Sequence, residues 1–210
     1  PVLDTAQLAR DVAGLVLAEL KPQLAVTAAD DAHTGAMVAL VPSAEDAARL
    51  AVDGGEPADQ LHATRAYLGE AASWSPEHQA ALMTAMEQVA AELPPVEAEG
   101  FTLSIINPTG DSPVIALGVG GQTLAAAQDT VMAGLAPFAG SMPEQHAPHL
   151  EHISLQYTDD AGLIADLVDR SGQPVTFDRL RVAFAGVATD FPLTGEARTE
   201  AATAAALIAD

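Results

Sequence analysis

The sequence has no cysteine. That absence excludes disulfides, thiol nucleophiles and thiolate metal sites together, and it leans toward a cytoplasmic setting. Aromatic residues make up only 4% of the chain, so a core has to be built from Ala, Val, Leu and Ile. Basic residues are also scarce: 8 Lys and Arg stand against 29 Asp and Glu, giving a net charge of -21. Long DNA or RNA is excluded as a partner, because neutralising successive phosphates takes a cluster of cations that this sequence lacks. A small phosphate ester is not excluded, since one local site can overcome a repulsive average field. No apolar run reaches the roughly 18 residues of a membrane span, and no signal-peptide pattern opens the chain. A cytoplasmic protein without a membrane partner is expected.

What the 210 residues do contain is apolar character, 49% by count, enough for a globular core. Residues 4–20 carry apolar positions at helical spacing behind an Asp, which predicts an amphipathic helix. With the polar stretch that follows, residues 1–32 form an N-terminal helix and linker, a candidate surface for a partner or a second copy. The run "AMVALVP" predicts a strand, and "SAEDAARLAV" a helix capped by Ser43. "LHATRAYLG" is a second strand. Ser75-Pro76-Glu77 starts a helix that two prolines stop near Leu93, and "FTLSII" is a third strand. The order then repeats: "PVIALGV", a helix from Gln122, "PHLEHISLQY", a helix over "DDAGLIADLVDR", and "VTFDRLRVAFAG". Two β-α-β-α-β blocks, about residues 36–107 and 113–193, lie within a domain over 33–194. Residues 195–210 are an alanine-rich tail or helix.

The central strand of each block carries the same pair. In a strand, residues two apart point to one face, so His62 stands beside Thr64, with Leu61, Ala63 and Tyr67 on the opposite face. In the second block His152 stands beside Ser154. Aligning the histidines also pairs Tyr67 with Tyr157. An imidazole titrating near pH 6.5 can accept or donate a proton at neutral pH, and two of them can do both. The hydroxyls can donate to oxygens that gain charge. The acidic composition is expected to raise both histidine pKa values.

"LHATRAYLG" and "EHISLQY" resemble the paired H-x-[ST]-x motifs of the two-histidine (2H) phosphoesterases, which include the 2′-5′ RNA ligase-like proteins and cyclic phosphodiesterases. The resemblance spans about residues 36–193. It implies an α+β fold of two pseudo-symmetric lobes, each a mostly antiparallel sheet with outer helices, around a central cleft. Strict β-α-β alternation alone would favour a parallel sheet. It also implies His62 and His152 as catalytic acid and base and Thr64 and Ser154 as phosphate-binding residues, with no metal and no cofactor. The implied activity is a metal-independent phosphodiesterase acting on a 2′,3′-cyclic phosphate, a 2′-5′ phosphodiester or a small cyclic nucleotide; the partner is then a small nucleotide or short RNA end. The alternative is a non-catalytic structural or interaction protein that keeps the fold, as part of a larger, for example phage, assembly and so virion-associated. One departure is Arg65, where the family usually has an apolar residue; simple alternation puts it on the face away from His62.

Other constellations carry less. "GVGGQT" at 118–123 lacks the third glycine of a dinucleotide-binding loop and reads as a turn. His146 and His149 sit among prolines without companion metal ligands, and His33 and His78 read as surface residues. Met83 and Met86 fit a core stripe. Arg179 and Arg181 share a face of the last strand and read as solvent-facing charge. No G-x-S-x-G nucleophile elbow is present.

Overall fold

The computed structural model describes residues 34–145 and 150–196. The expected N-terminal helix, the tail beyond 196, and His33, His146 and His149 lie outside the described residues.

Local chemistry sets most element boundaries. Strand β1 (Gly35–Pro42) ends at its proline. The Ser43 hydroxyl then accepts from the Asp46 amide to cap α1 (Ala44–Leu50). Strand β2 (Ala63–Glu70) leads to α2 (Pro76–Glu92), with Ser75 as cap and Pro76 in the first turn. There follow β3 (Val96–Ile106), β4 (Val114–Gly120), α3 (Gln122–Leu135), β5 (His152–Tyr157), β6 (Gln173–Phe184) and β7 (Val187–Pro192). The segment Ala161–Arg170, expected to be helical, is wound as a 3₁₀ helix. Strand β7 was hidden in the sequence by the turn before it. Ala185 and Gly186 both have positive φ, 49° and 77°, as primed hairpin turns require. Alanine is an unusual residue for such a turn.

All the strands join one antiparallel sheet, in the order β2-β1-β6-β3-β4-β5, with β7 also paired to β6. The antiparallel pairing is the one implied by the resemblance and not by the β-α alternation. Third strands are exchanged between the sequence blocks. Strand β6, from the second block, pairs with β1, and β3, from the first, pairs with β4. The sheet is continuous through β6, so it does not itself separate into two lobes.

One face of this sheet and the helices make the main core. Val38, Leu40, Leu68, Leu117, Phe177 and Val182 pack with Leu82, Met86, Leu124 and Val131. Met83 lies at the edge of the same cluster, as the core stripe predicted. Trp74 closes one end of the core. Its indole N–H donates to the Leu68 carbonyl at 2.9 Å, and its ring meets Phe138 and Phe184.

The sheet is strongly curled. Strands β2 and β5 are the two ends of a six-strand path, yet they touch one another. At about 4.8 Å per strand, a flat sheet would hold them roughly 24 Å apart. The outer edge of β2 is covered by a side chain: Gln145 exchanges hydrogen bonds with both the N–H and the C=O of Tyr67, as a neighbouring strand would.

The helices on the core side are also closely fitted. A Cβ at Gly134 of α3 would lie 2.4 Å from Cγ2 of Val89 on α2 and 3.1 Å from the Met86 methyl. Helix propensity alone favours Gly134→Ala by about 1 kcal/mol. The close approach to a stiff, buried valine is expected to reverse that sign and destabilise by about 1–3 kcal/mol. Urea unfolding of the variant checks it, and a more stable variant would contradict the packing described here.

Candidate active site

Both motifs lie at the terminal strands of the curled sheet. His62 immediately precedes β2 and Thr64 lies within it; His152 opens β5 and Ser154 follows. All four side chains are half-buried. The curl that brings β2 against β5 therefore brings the motifs' strands together.

The local geometry is duplicated. His62 Nδ1 lies 2.7 Å from the Gln60 carbonyl, and His152 Nδ1 lies 2.8 Å from the Leu150 carbonyl. A carbonyl can only accept, so Nδ1 is the protonated nitrogen in each neutral ring and Nε2 carries the lone pair. Three residues after each histidine comes a bulge. Thr64 pairs with Ala39 and Ala66 with Val38, leaving Arg65 as the extra residue. Ser154 pairs with Ala116 and Gln156 with Ile115, leaving Leu155 extra. Each hydroxyl thus stands in register with a fully buried alanine, Ala39 or Ala116. Each bulge carbonyl is also taken: Arg65 O by the Gln128 side chain at 3.0 Å, Leu155 O by the Glu56 amide at 2.8 Å.

The first bulge corrects one expectation. Beyond Arg65 the alternation reverses, so Tyr67, in register with Met37, shares a face with Thr64 and does not side with Leu61 and Ala63. Arg65 reaches across to the second motif's strand. Its guanidinium is fully buried and forms an ion pair with Glu151, the residue immediately before His152. Its Nε also donates to the Ala63 carbonyl at 3.3 Å. Burial pushes the Arg65 pKa down to about 10, which still leaves the group charged at neutral pH.

The expected upward shift of the histidines fails at His152. Burial holds its pKa below the ordinary 6.5; the hydrogen bond with the Leu150 carbonyl pulls partly back up, and the positive charge of Arg65 adds the smallest contribution, downward. Composition describes an average, screened field, whereas the imidazole responds to what lies within a few ångströms. Tyr157 is pushed up by burial and by the Glu56 carboxylate, and its phenol is hydrogen-bonded with Ser154.

Arg181 and Arg179 are not the solvated charges expected from the sequence. Arg181 is buried, grips Asp190 through Nε at 2.7 Å and Nη2 at 2.9 Å, and donates from Nη1 to the Asp59 carbonyl. It thereby holds the loop that ends in Gln60 and His62. Arg179 bonds Asp178 and the Pro42 carbonyl. Depressions of about 470 Å³, beside Met132 and Gln145, and about 330 Å³, beside Val52 and Gln156, are lined by neither histidine. Among the described residues no cluster of three or more His, Asp and Glu is arranged to hold a metal ion, and no helix is long and apolar enough to cross a membrane.

No protein-family model matches the sequence, and no curated protein matches it. Solved structures do resemble it in fold. The protein TT0787 of Thermus thermophilus superposes with a TM-score of 0.56 at 20% identity, over 78% of this chain and 100% of that one. A phosphoesterase superposes with a TM-score of 0.50 at 19% identity, over 76% and 95% of the two chains. At these identities the likeness is one of fold, and the antiparallel α+β fold is shared.

The buried ion pair has an asymmetric prediction attached. Arg65 is 0% exposed in its side chain and Glu151 is 22% exposed. Glu151→Gln strands a buried cation and is expected to cost about 3–5 kcal/mol. Arg65→Leu leaves a carboxylate that water can reach, and puts into β2 the residue type that Leu155 already supplies in β5; it is expected to be near neutral. Urea unfolding of both variants tests the ordering, and equal losses would contradict it.

Proposed function

We propose that the protein is a metal-independent phosphodiesterase in which His62 and His152 act as a general acid–base pair. The observation that carries the reading is the duplication of one geometry on two touching strands. In each, a histidine is anchored through Nδ1, a hydroxyl stands two residues on, and a bulge follows. The shared fold with a solved phosphoesterase supports it. The substrate class is a 2′,3′-cyclic phosphate, a 2′-5′ phosphodiester or a small cyclic nucleotide. The net charge of -21 favours small substrates over long nucleic acid.

In hydrolysis of a cyclic phosphate, one imidazole Nε2 takes a proton from water as its oxygen bonds to phosphorus. The other, protonated, delivers its proton to the ribose oxygen as that P–O bond breaks. The Thr64 and Ser154 hydroxyls donate to the non-bridging oxygens, where charge accumulates. His152, held neutral by burial and by Arg65, is suited to be the base in this direction, and His62 the acid. The roles exchange in the reverse reaction.

Turnover of a panel of cyclic nucleotides and 2′-5′ oligonucleotides, with EDTA present, tests the reading. His62→Ala and His152→Ala are each expected to lower kcat/KM by about 10²–10⁴. The double variant should be little worse than either single one, because paired groups are not additive. Inertness of the wild-type protein across the panel would favour a non-catalytic protein that keeps the fold. The pH profile gives a second test. A base whose pKa is lowered stays neutral to lower pH, so the acidic limb of kcat/KM should fall below the ordinary histidine value of 6.5. Arg65→Leu removes a nearby cation and should move that limb to higher pH. A limb at or above 6.5 in the wild type would contradict His152 as the base.

A further inference from the structure

Phe101 is unusual among the exposed apolar residues. Strand β3 pairs Gly100 with Val119 and Thr102 with Gly118, so Phe101 is the extra residue of another bulge. Its ring then lies across two glycines of β4. A Cβ built at Gly118 would come within 3.2 Å of the Phe101 ring and 2.8 Å of the Thr102 methyl, and one at Gly120 within 3.3 Å of the ring. Directly paired residues of antiparallel strands project to one face, and Gly118 pairs with His152. The ring therefore lies on the same face as His152 and Ser154, about one strand spacing, roughly 5 Å, from the histidine's backbone. It is 59% exposed.

Single exposed apolar residues are common and by themselves mean little. This one differs in three respects: a bulge extrudes it, glycines make room for it, and it borders the paired motif. We propose that Phe101 is a stacking platform for a nucleobase, which makes the substrate a nucleotide and not simply any small phosphodiester. The proposal rests on the phosphodiesterase reading above and adds the part of the substrate that lies beside the phosphate.

Charge favours that occupant. Glu99 is exposed and pairs with Gly120, at the far side of the ring from His152. A carboxylate there repels a phosphate but tolerates an uncharged base. With a net charge of -21 on the chain, long-range attraction does not recruit an anionic substrate, so contacts that are not ionic supply affinity that the average field does not. Stacking on an aromatic ring is such a contact, and it tolerates any base because each has a π-face.

The test compares two five-membered cyclic phosphates on the full chain: a nucleoside 2′,3′-cyclic phosphate, and glycerol 1,2-cyclic phosphate, which has no base. Phe101→Ala is expected to raise KM for the nucleotide by about 5- to 150-fold. Its kcat should hold, and kcat/KM for the glycerol ester should not change. Phe101→Trp should restore the nucleotide KM. Equal effects on both esters, or none on either, would overturn the platform while leaving the phosphodiesterase reading in place. If the wild type turns over neither ester, that reading fails separately, and calorimetric binding of AMP against ribose 5-phosphate decides the platform. Preference for AMP that is lost in Phe101→Ala supports it, and equal binding of the two ligands overturns it.

Discussion

Arg65 places a fully buried positive charge between the two ends of a single sheet, and Glu151 answers it from the opposite end. Removing a guanidinium and a carboxylate from water costs several kcal/mol per ion, and the penalty is offset only when the partners are held close and their remaining groups are bonded. The first condition requires β2 and β5 to stay together; the second is met in part, by Nε donating to the Ala63 carbonyl, while Nη1 has no partner among the described residues. A sheet whose terminal strands touch must curl through its whole width, so the pairing in the middle answers to this contact as well. The ion pair is thus a constraint on shape, and its two residues lie one after Thr64 and one before His152.

The parts of the fold written in short-range chemistry were legible. Ser43 and Ser75-Pro76 marked two helix starts, the prolines after Leu93 marked an end, and the paired H-x-[ST] motifs marked two equivalent strands. What escaped was non-local or depended on one residue's geometry. Nothing in the run "LHATRAYLG" announces a bulge at Arg65; it exists because β1 skips a residue opposite it. That skip reversed the predicted face of Tyr67. The exchange of β3 and β6 between blocks is a pairing choice made across the whole chain, which neither periodicity nor turn signals encode. Strand β7 was lost to an alanine in a positive-φ turn. Arg181 looked like a solvated charge because its partner, Asp190, lies on that unrecognised strand.

The candidate site was legible as residue types and not as electrostatics. A chain of net charge -21 suggests histidines biased toward protonation. At one of them the structure withdraws a half-buried ring from water, and the Arg65 cation nearby adds to the effect. Distant carboxylates on a wet surface are screened within about 10 Å at ordinary salt, whereas a buried cation close by is not. Local desolvation and one neighbour therefore outweigh the surplus of 21 negative charges.

The duplication makes the departures from symmetry informative. Anchored Nδ1 atoms, hydroxyls beside alanines, and bulges at the third residue recur in both halves. At the bulge itself the halves diverge: Arg65 in β2, Leu155 in β5. Two identical imidazoles would have no preferred direction of proton transfer, because either could begin as base. Burial favours the neutral form of His152, and a cation seated in one half and paired next to the histidine of the other adds a smaller push in the same direction. Arg65 therefore ties the strands together and adds to a difference between two like residues that burial begins. Arg65 thus links the two ends of the sheet and bears on the histidine of the second motif, so a substitution there should change the pH response even where it leaves the fold intact.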